Sequence, residues 1–162
     1  MISTEKKTLI VAKSRNGMGI VTMQNFQKGD VVFEVRGKLI TCDEDDSVDE
    51  QTRSNTYRYS DDLYLSPAGN IGDFLNQSCN PNARVTKEGK KLFVRAIKTI
   101  PKNKEVLIDY STITASDDSW TMKCNCGSAK CRGVIKKFRT LPKELRQKYI
   151  SDGMVPQHIL EN

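Results

Sequence analysis

The stretch MKCNCGSAKCRG, residues 122–133, contains three of the five cysteines of the chain. Cys124, Cys126 and Cys131 fall within eight residues and are separated mainly by small or glycine residues, so their thiols can converge on one ion. Zinc binds four ligands in a tetrahedron, and the fourth would come from Cys42 or Cys79. The spacing therefore predicts a zinc site, although a set of free or redox-active thiols remains an alternative.

The rest of the composition is that of a single globular domain. The chain has 162 residues, of which 37% are hydrophobic and 28% charged, and such a length favours one domain with a small appendage. No apolar run is long enough to span a bilayer, and the four-residue run Leu9–Ala12 is too short for a signal peptide. We therefore expect a cytoplasmic, non-secreted protein with reduced cysteines. The single histidine, His158, makes a histidine-based catalytic centre improbable.

Charge is distributed unevenly along the chain. Residues 34–62 contain four basic and nine acidic side chains, whereas residues 63–162 contain 17 basic and nine acidic ones. The acidic part centres on Cys42–Gln51 and is predicted to be a solvated loop or mobile insert. The basic part could contact nucleic acid, but its lysines are scattered among few aromatic residues, which favours a solvated basic surface.

Short β-branched runs bounded by turn residues predict a mostly β protein. A hairpin is expected within residues 82–100, with its turn at Lys87–Lys91 around Gly89. Only the tail has a helical pattern, with Pro142 in the first turn and Gly153 as the stop signal. The other predicted strands are Thr8–Ala12, Gly19–Met23, Asp30–Val35, Lys38–Thr41, Asp62–Pro67 and Glu105–Tyr110.

Four segments, in order along the chain, together resemble the SET-domain protein lysine methyltransferases. SRNGMGIV (14–21) resembles the G-x-G turn of that family, FLNQSCNPNA (74–83) its N-H-S-C-x-P-N signature, and KNKEVLIDY (102–110) its G-E-E-L-x-x-D-Y signature. CNCGSAKCRG (124–133) resembles its post-SET segment. The resemblance covers residues 8–135, approximately, and four ordered motifs are far more specific than one glycine pair.

The resemblance implies the SET (β-clip) fold, in which small sheets surround a pseudoknot-like threaded active site. It divides the chain into a SET domain at residues 1–116 with an acidic insert at 42–55, a zinc-bound post-SET segment at 117–135, and a C-terminal helical tail at 136–162. It also assigns Cys79 as the fourth zinc ligand, beside Cys124, Cys126 and Cys131, and leaves Cys42 as an ordinary thiol.

The implied activity is transfer of methyl groups from S-adenosylmethionine to a lysine side chain of a protein. Tyr110 is the implied catalytic residue, with its hydroxyl near the transferred methyl group. A histone or another basic tail is the expected substrate, and the location would be nuclear if the source is eukaryotic or viral. The implied cofactor-binding residues are Arg15, Asn16, Gly17, Met18, Gly19, Asn76, Gln77, Tyr110 and Ile135.

Two positions depart from the family pattern. Gln77 stands where the family usually has histidine, and Val35 stands where many relatives have a second pocket tyrosine. The missing hydroxyl would then come from Tyr57, Tyr59 or water. Ile108 occupies a position that often limits pocket size, and its modest volume predicts room for di- or trimethylation. The substrate channel is thus expected to include Ile108, Val35, Tyr57 and Tyr59.

Two other functions compete with methyl transfer. The departures at Gln77 and Val35 would also suit a catalytically weak SET-like module that binds a protein tail or nucleic acid. The cysteines and the positive charge alone would suit a zinc-knuckle nucleic-acid-binding protein. Cofactor binding distinguishes the methyltransferase and the SET-like module from the zinc-knuckle protein. Transfer of a labelled methyl group distinguishes the methyltransferase from the SET-like module.

Overall fold

The structure is a computed structural model and describes residues 7–162; the first six residues of the expected SET domain lie outside that range. The described part consists of short strands, four α-helices and three 3₁₀-helices at Ile71–Phe74, Tyr110–Ile113 and Phe138–Thr140. The strands are β1 (Leu9–Ser14), β2 (Gly17–Thr22), β3 (Val31–Val35), β4 (Lys38–Thr41), β5 (Tyr57–Arg58), β6 (Leu63–Ser66), β7 (Asn76–Gln77), β8 (Ala83–Glu88), β9 (Lys91–Ala96), β10 (Leu107–Ile108), β11 (Met122–Lys123) and β12 (Val134–Ile135). The helices are α1 (Cys42–Ser47), α2 (Glu50–Ser54), α3 (Lys143–Ser151) and α4 (Gln157–Leu160).

The strands form five small sheets rather than one large sheet. Two sheets have three strands, in the orders β3-β9-β8 and β4-β6-β5, and the pairs β1-β2, β7-β10 and β11-β12 form the rest. All strand pairs are antiparallel except β7 with β10, which are parallel. The expected mostly β architecture of small sheets is confirmed.

Tight turns set the register of two hairpins. In the β1-β2 hairpin Ser14 pairs with Gly17, so two residues form the loop, and Gly17 has a φ of +90° that favours glycine. In the predicted β8-β9 hairpin Glu88 pairs with Lys91, and Gly89 takes a φ of +59° in the turn. Both turns follow from glycine at a position that needs positive φ.

Buried apolar side chains form two clusters. The larger cluster draws on β2, β3, β8, β9 and β10, with Ile20, Leu92, Val94 and Ile108 fully buried. The second cluster lies between residues 115 and 159 and packs helices α3 and α4 against the residues that follow Tyr110. The C-terminal tail therefore has an apolar core of its own next to the main sheets.

The acidic stretch is not the loop that its composition predicts. Residues 42–54 form α1 and α2, and the first helix begins with a capping box in which Thr41 and Glu44 exchange side-chain-to-backbone hydrogen bonds. Asp49 caps α2 by accepting a hydrogen bond from the backbone of Thr52. The carboxylates thus act as N-terminal caps, and they also lie where the helix dipole favours negative charge.

Two other predicted elements differ in extent. The expected strand Glu105–Tyr110 is restricted to Leu107–Ile108, because the side chain of Asp109 accepts a hydrogen bond from Ser111 and starts a 3₁₀ turn. The predicted tail helix is confirmed as α3, followed by Gly153 at φ +64°, but α4 was not expected. Across the described residues, no helix has the length and hydropathy required to cross a membrane.

Candidate active site and thiol cluster

Two segments whose paired residues are 31 positions apart in sequence lie side by side. Asn76 pairs with Leu107 and Gln77 with Ile108 in the parallel β7-β10 pair. Asn82 extends this contact, since its side chain donates to the carbonyl of Glu105 and accepts from the amide of Leu107, both at 2.8 Å. The segments expected to share one site are therefore joined by backbone and side-chain hydrogen bonds.

The amide of Asn76 connects the β1-β2 hairpin to this pair. Its Nδ2 donates to the carbonyl of Met18 at 3.0 Å and to a carboxylate oxygen of Glu105 at 2.8 Å. A Cβ placed on Gly19 would lie 2.2 Å from that Glu105 oxygen and 3.0 Å from Asn76 Nδ2. A side chain at position 19 would have to displace the Glu105 carboxylate, so glycine there leaves the hydrogen bond between Asn76 and Glu105 in place.

The side chain of Gln77 is almost completely buried and links two functional segments. Its Oε1 accepts a hydrogen bond from the backbone N–H of Tyr110 at 2.6 Å, and its Nε2 contacts the sulfur of Cys79 at 3.7 Å. The residue that departs from the family pattern therefore positions the backbone of the expected catalytic tyrosine.

Two tyrosine hydroxyls lie close to backbone carbonyls beside this pair. The Tyr110 hydroxyl donates to the carbonyl of Leu75, and the Tyr57 hydroxyl donates to the carbonyl of Gly72 at 2.7 Å. Burial raises the pKa of both phenols, helped by the charge of Glu105 near Tyr110 and by Tyr110 itself near Tyr57. Both hydroxyls therefore stay protonated at neutral pH, and neither is a general base.

These tyrosines line a cavity of about 220 Å³. Helices α1 and α2 form one wall, and the segment 117–120 forms another. The side chains that close it include Cys42, Asp45, Asp46, Arg53, Tyr57, Arg58, Tyr64, Tyr110, Asp117, Asp118 and Trp120. Tyr110 lines the cavity, and its backbone N–H is bonded to Gln77 of β7. The cavity and the adjoining β7-β10 pair together form the candidate site.

Three residues expected in the substrate channel do not line this cavity. Val35 is 2% exposed and Ile108 is fully buried, both in the main apolar cluster. The hydroxyl of Tyr59 donates to the carbonyl of Lys90 at 3.1 Å, and its ring packs against the ammonium of Lys87. Tyr57 is the member of the expected set that lines the cavity.

The expected metal ligands form one cluster. The sulfur atoms of Cys79, Cys124, Cys126 and Cys131 all lie within 4.8 Å of one another, and those of Cys79 and Cys124 are 3.8 Å apart. At a Zn–S distance of about 2.3 Å, the edge of a sulfur tetrahedron is about 3.8 Å long. Four thiols in this arrangement fit a zinc ion, whereas Cys42 lies apart and lines the cavity.

The segment that carries Cys124, Cys126 and Cys131 is attached to the β1-β2 turn. Arg15 Nε and Asn16 Nδ2 donate to the backbone carbonyl of Asn125 at 2.9 and 3.2 Å. Ile135, another residue expected near the cofactor, is fully buried in β12 and pairs with Met122. The β1-β2 turn and the cysteine segment are therefore hydrogen-bonded to each other at Asn125.

Asp109 is a structural hydrogen-bond acceptor. Its carboxylate is fully buried and accepts two hydrogen bonds from the guanidinium of Arg132, each at 2.7 Å, and one from the hydroxyl of Tyr149 at 2.8 Å. A buried carboxylate requires such partners. This arrangement fixes the residue before Tyr110 to the cysteine segment and to α3.

Sequence reasoning did not identify two groups that shape the cavity. Arg58 is buried and forms ion pairs with Asp117 and Asp118, both at 3.0 Å. The ring of Trp120 lies 5.9 Å from that of Tyr110. Trp120 is the single tryptophan of the chain. Its position in sequence between Tyr110 and Cys124 could have indicated that it lies near the site.

The match to known families agrees with this geometry. The model of the SET domain family matches residues 17–111, which is more than half of the chain. The chain belongs to the SET domain family. Its expected SET fold is confirmed, and the matched range includes the β1-β2 turn, the β7-β10 pair and Tyr110.

Several histone-lysine N-methyltransferases are similar in sequence. An H3 lysine-4 specific enzyme of Schizosaccharomyces pombe is 31% identical over 83% of this chain and 16% of its own length. ASHR3 of Arabidopsis thaliana is 28% identical over 85% of this chain and 30% of its own length. SUV39H2 of Xenopus tropicalis is 28% identical over 74% and 36%. This SET chain thus spans between 16% and 36% of the length of these three relatives.

Solved structures show the same fold. A chain from a humanized mutant of the Chaetomium thermophilum Polycomb Repressive Complex 2, bound to the inhibitor GSK126, aligns with a TM-score of 0.58 and 23% identity over 66% of this chain and 15% of its own. An active polycomb repressive complex 2 in the stimulated state aligns with a TM-score of 0.56 and 22% identity over 64% and 15%. At these identities the likeness concerns the fold alone.

Proposed function

We propose that this chain is a protein-lysine N-methyltransferase that uses S-adenosylmethionine as methyl donor. The observation that carries the proposal is the position of Tyr110. Its backbone is bonded to Gln77 in the β7-β10 pair, while its ring lines the cavity that also contains Tyr57. One residue thus connects the expected cofactor side to a cavity that fits an alkyl ammonium chain.

The expected cofactor residues offer a suitable set of donors and open space. Arg15 and Asn16 form the β1-β2 turn, a Cβ on Gly17 would meet no atom within 4 Å, and Asn76 supplies a half-buried amide. Backbone amides and an asparagine suit the carboxylate and amine of a methionine moiety. Bound there, S-adenosylmethionine would supply an activated methyl carbon for attack by the lysine nitrogen, and the electron pair of the broken carbon–sulfur bond would remain on sulfur.

The residues around the amine hold and orient it. A free lysine has a pKa of about 10.4. Burial and the positive sulfonium of the donor would lower it against the opposing charge of the cavity carboxylates, so that the neutral, nucleophilic form is accessible. The tyrosine oxygens and the carbonyls of Gly72 and Leu75, which all line the cavity, can accept hydrogen bonds from the amine. This contribution is positioning rather than proton abstraction, and the proton leaves to solvent.

We also propose that the four thiols hold one structural zinc ion. A site with four protein ligands is closed to substrate. Cys79 follows Gln77 closely, and Arg132, which follows Cys131, binds Asp109. The metal would therefore fix the cysteine segment beside Tyr110.

The charge of the cavity supports a basic protein segment as substrate. Four carboxylates line it, those of Asp45, Asp46, Asp117 and Asp118, against two guanidinium groups, Arg53 and Arg58, although the whole chain carries a net charge of +6. Since the relatives are named for histone lysines, a histone tail with H3 lysine 4 as the first candidate is proposed. A histone substrate also favours the nuclear over the cytoplasmic location.

The test is transfer of a labelled methyl group from S-adenosylmethionine to histone H3 and to a nuclear protein extract. The Tyr110→Phe variant should lose at least about 100-fold in kcat, since it would remove the hydroxyl that we propose orients the target amine. Tyr59→Phe, which removes a hydroxyl outside the cavity, is the matched control. Binding of the cofactor and a histone tail without any transfer would instead support the weak SET-like binding module.

A further inference from the structure

Two largely exposed segments, residues 22–28 and 98–104, lie side by side in the structure. Phe26 and Ile100 join them through backbone hydrogen bonds of 2.9 and 2.8 Å, and both side chains are buried in the main apolar cluster. The backbone of Thr22 adds two further hydrogen bonds to the second segment, at 3.0 and 2.7 Å. The two segments therefore form one continuous surface, which we call the lysine surface.

The lysine surface contains basic residues and no acidic ones. Within residues 7–162, the lysines that form ion pairs are Lys91 and Lys148, and neither belongs to this surface. The four lysines of the surface are all exposed, and their ammonium groups have no ion-pair partner among the described residues: Lys28, Lys98, Lys102 and Lys104.

The two carboxylates that flank the lysine surface in sequence have other partners. Asp30 accepts a hydrogen bond from the backbone N–H of Gln27 at 2.7 Å. Glu105 accepts one from the amide of Asn76 at 2.8 Å, in the candidate site. Since no ion pair neutralises the four lysines, the surface retains a positive field that attracts anions.

Lys104 also departs from the family signature. When KNKEVLIDY is aligned with G-E-E-L-x-x-D-Y at its last two residues, Asn103 stands at the glycine and Lys104 at the first glutamate. Asn103 has a φ of +65°, a conformation that asparagine tolerates better than most residues, so the turn is retained. The charge of the next side chain is reversed, which adds to the positive charge of the surface.

The other side chains of the lysine surface favour one kind of polyanion. The one aromatic ring of the two segments, that of Phe26, is 4% exposed, so no ring is available to stack on single-stranded bases. Neither segment is helical, so no amphipathic helix is present there to enter a membrane. The exposed amides and hydroxyl are groups that commonly contact phosphate and sugar: Gln24, Asn25, Gln27 and Thr99.

We propose that the lysine surface binds the phosphate backbone of duplex DNA, without reading its sequence. In sequence the basic residues are scattered, but the structure places the segment with three of them beside the segment that carries Lys28. Lysines bind the closely spaced phosphates of a duplex without any need for stacking. This inference goes beyond the proposed methyltransferase function and does not depend on it.

The first experiment measures DNA binding by fluorescence anisotropy with a labelled duplex of about 24 base pairs and mixed sequence. The test variant combines Lys98→Gln, Lys102→Gln and Lys104→Gln. The control variant combines Lys38→Gln, Lys90→Gln and Lys143→Gln, which are also exposed lysines, so that the net charge falls equally from +6 to +3.

The Kd of the wild type should rise steeply with salt, with a log–log slope of about 3. At about 0.1 M salt the test variant should bind at least about tenfold more weakly, and its slope should be smaller by about 2. The control variant should retain most of the affinity and the slope. Lys104→Glu, which restores the signature residue, should weaken binding more than Lys104→Gln.

An unchanged affinity in the test variant, or an equal loss in both triple variants, would overturn the proposal. Tighter binding of the corresponding single strand or of polyglutamate would also overturn it, because the surface would then suit a different polyanion. Circular dichroism and urea denaturation check that the variants fold, and the single variants at Lys104 keep the test valid if the triple variant does not.

The second experiment rests on the proposed methyltransferase function. It compares methyl transfer to an H3 peptide with transfer to a nucleosome core particle, in which the same tail lies beside DNA. The test variant should raise the KM for the nucleosome by about tenfold and leave the kinetics on the peptide unchanged, because its three lysines do not line the cavity. An equal loss on both substrates would overturn the proposal. Lysine-dependent DNA binding without any methyl transfer by the wild type would support the surface and disprove the methyltransferase.

Discussion

At the scale of single residues, Gln77 shows how a departure from a family pattern can be accommodated. A family histidine is replaced by a glutamine whose oxygen accepts the Tyr110 N–H and whose nitrogen contacts the Cys79 sulfur. A glutamine can form both contacts because it has an acceptor and a donor on one planar amide. The substitution therefore retains a polar link between the tyrosine and the thiol cluster.

The Gln77→Ala variant should lower kcat by about tenfold, because it leaves the buried N–H of Tyr110 without its partner and frees the tyrosine backbone. Gln77→His, which restores the usual family residue, should lose less. Steady-state methyl-transfer rates measure both, with Gln24→Ala as a control at an exposed glutamine. Full activity in Gln77→Ala would show that the hydrogen bond does not position Tyr110.

At the scale of elements, helix α3 is attached to the site through one buried carboxylate. Tyr149 is the buried residue of α3, and its hydroxyl donates to Asp109, one residue before Tyr110. Burial raises the pKa of Tyr149, and so does the neighbouring charge of Asp109, so the phenol remains a donor. The tail thus stabilises the position of the 3₁₀ turn that carries Tyr110.

The Tyr149→Phe variant should lower the free energy of unfolding by about 1.5–3 kcal/mol, the range for a hydrogen bond to a charged group. The Asp109–Arg132 pair stays in place, so the fold is retained. Urea denaturation measures the difference, with Tyr59→Phe as the control for loss of a phenol hydroxyl. A change of less than about 0.5 kcal/mol would mean that water replaces the tyrosine at Asp109.

The cysteine segment should open before the sheets when a bound metal is removed. It is held by the two-residue pair β11-β12, by the hydrogen bond from Arg15 to Asn125 and by the Arg132–Asp109 pair, whereas β8 and β9 pair over six residues in the core. Treatment with a chelator should therefore increase hydrogen exchange first in residues 122–135 and at Arg15 and Asn16. Exchange mass spectrometry measures this order.

The cysteine variants separate metal binding from a general thiol effect. Cys126→Ser should reproduce the exchange pattern of the chelated protein, while Cys42→Ser, outside the cluster, should resemble the untreated protein. Simultaneous opening of β8 and β9 would contradict an architectural role confined to this segment.

At the scale of the whole molecule, local patterns predicted most of the strands and three of the four clustered cysteines, but not the cavity; the family resemblance supplied Cys79. Short apolar runs bounded by turn residues marked β1, β3 and β9, and the four thiols are brought together from residues 79–131. The helices at 42–54 were missed because their acidic composition favours disorder, while capping by Thr41 and Asp49 stabilises them. Trp120 and Arg58 were missed because their partners are distant in sequence, and no local period encodes such contacts.

The division of the chain at residues 116 and 135 stays a prediction. The second apolar cluster joins Ala115 to Tyr149 and Ile159, and Arg58 of β5 contacts both the segment 117–118 and the tail. The tail is thus connected to the cavity wall by polar as well as apolar contacts. A histidine lies at this junction, which makes the stability of the whole fold sensitive to pH.

His158 in α4 has a ring nitrogen 2.9 Å from the carbonyl oxygen of Arg58. Burial lowers its pKa, and the charges of Lys87 and Arg58 act in the same direction, while the bond to that carbonyl and the charge of Asp61 oppose them. Below about pH 6.5, the ordinary pKa of histidine, the imidazole is therefore protonated in the unfolded state while it is still neutral in the folded state. This contribution to stability is complete above about pH 6.5 and is lost as the pH falls toward the lowered pKa.

The wild type should accordingly lose more free energy of unfolding between pH 7.5 and 5 than the His158→Gln variant, which keeps a side-chain donor for the Arg58 carbonyl but has no titrating ring. Because the chain contains one histidine, the difference between the two urea-denaturation profiles isolates its titration from that of the carboxylates. The difference should be concentrated below about pH 6.5 and constant above it. Parallel profiles across the whole range would show that the ring accepts its proton equally well in the folded and unfolded chains.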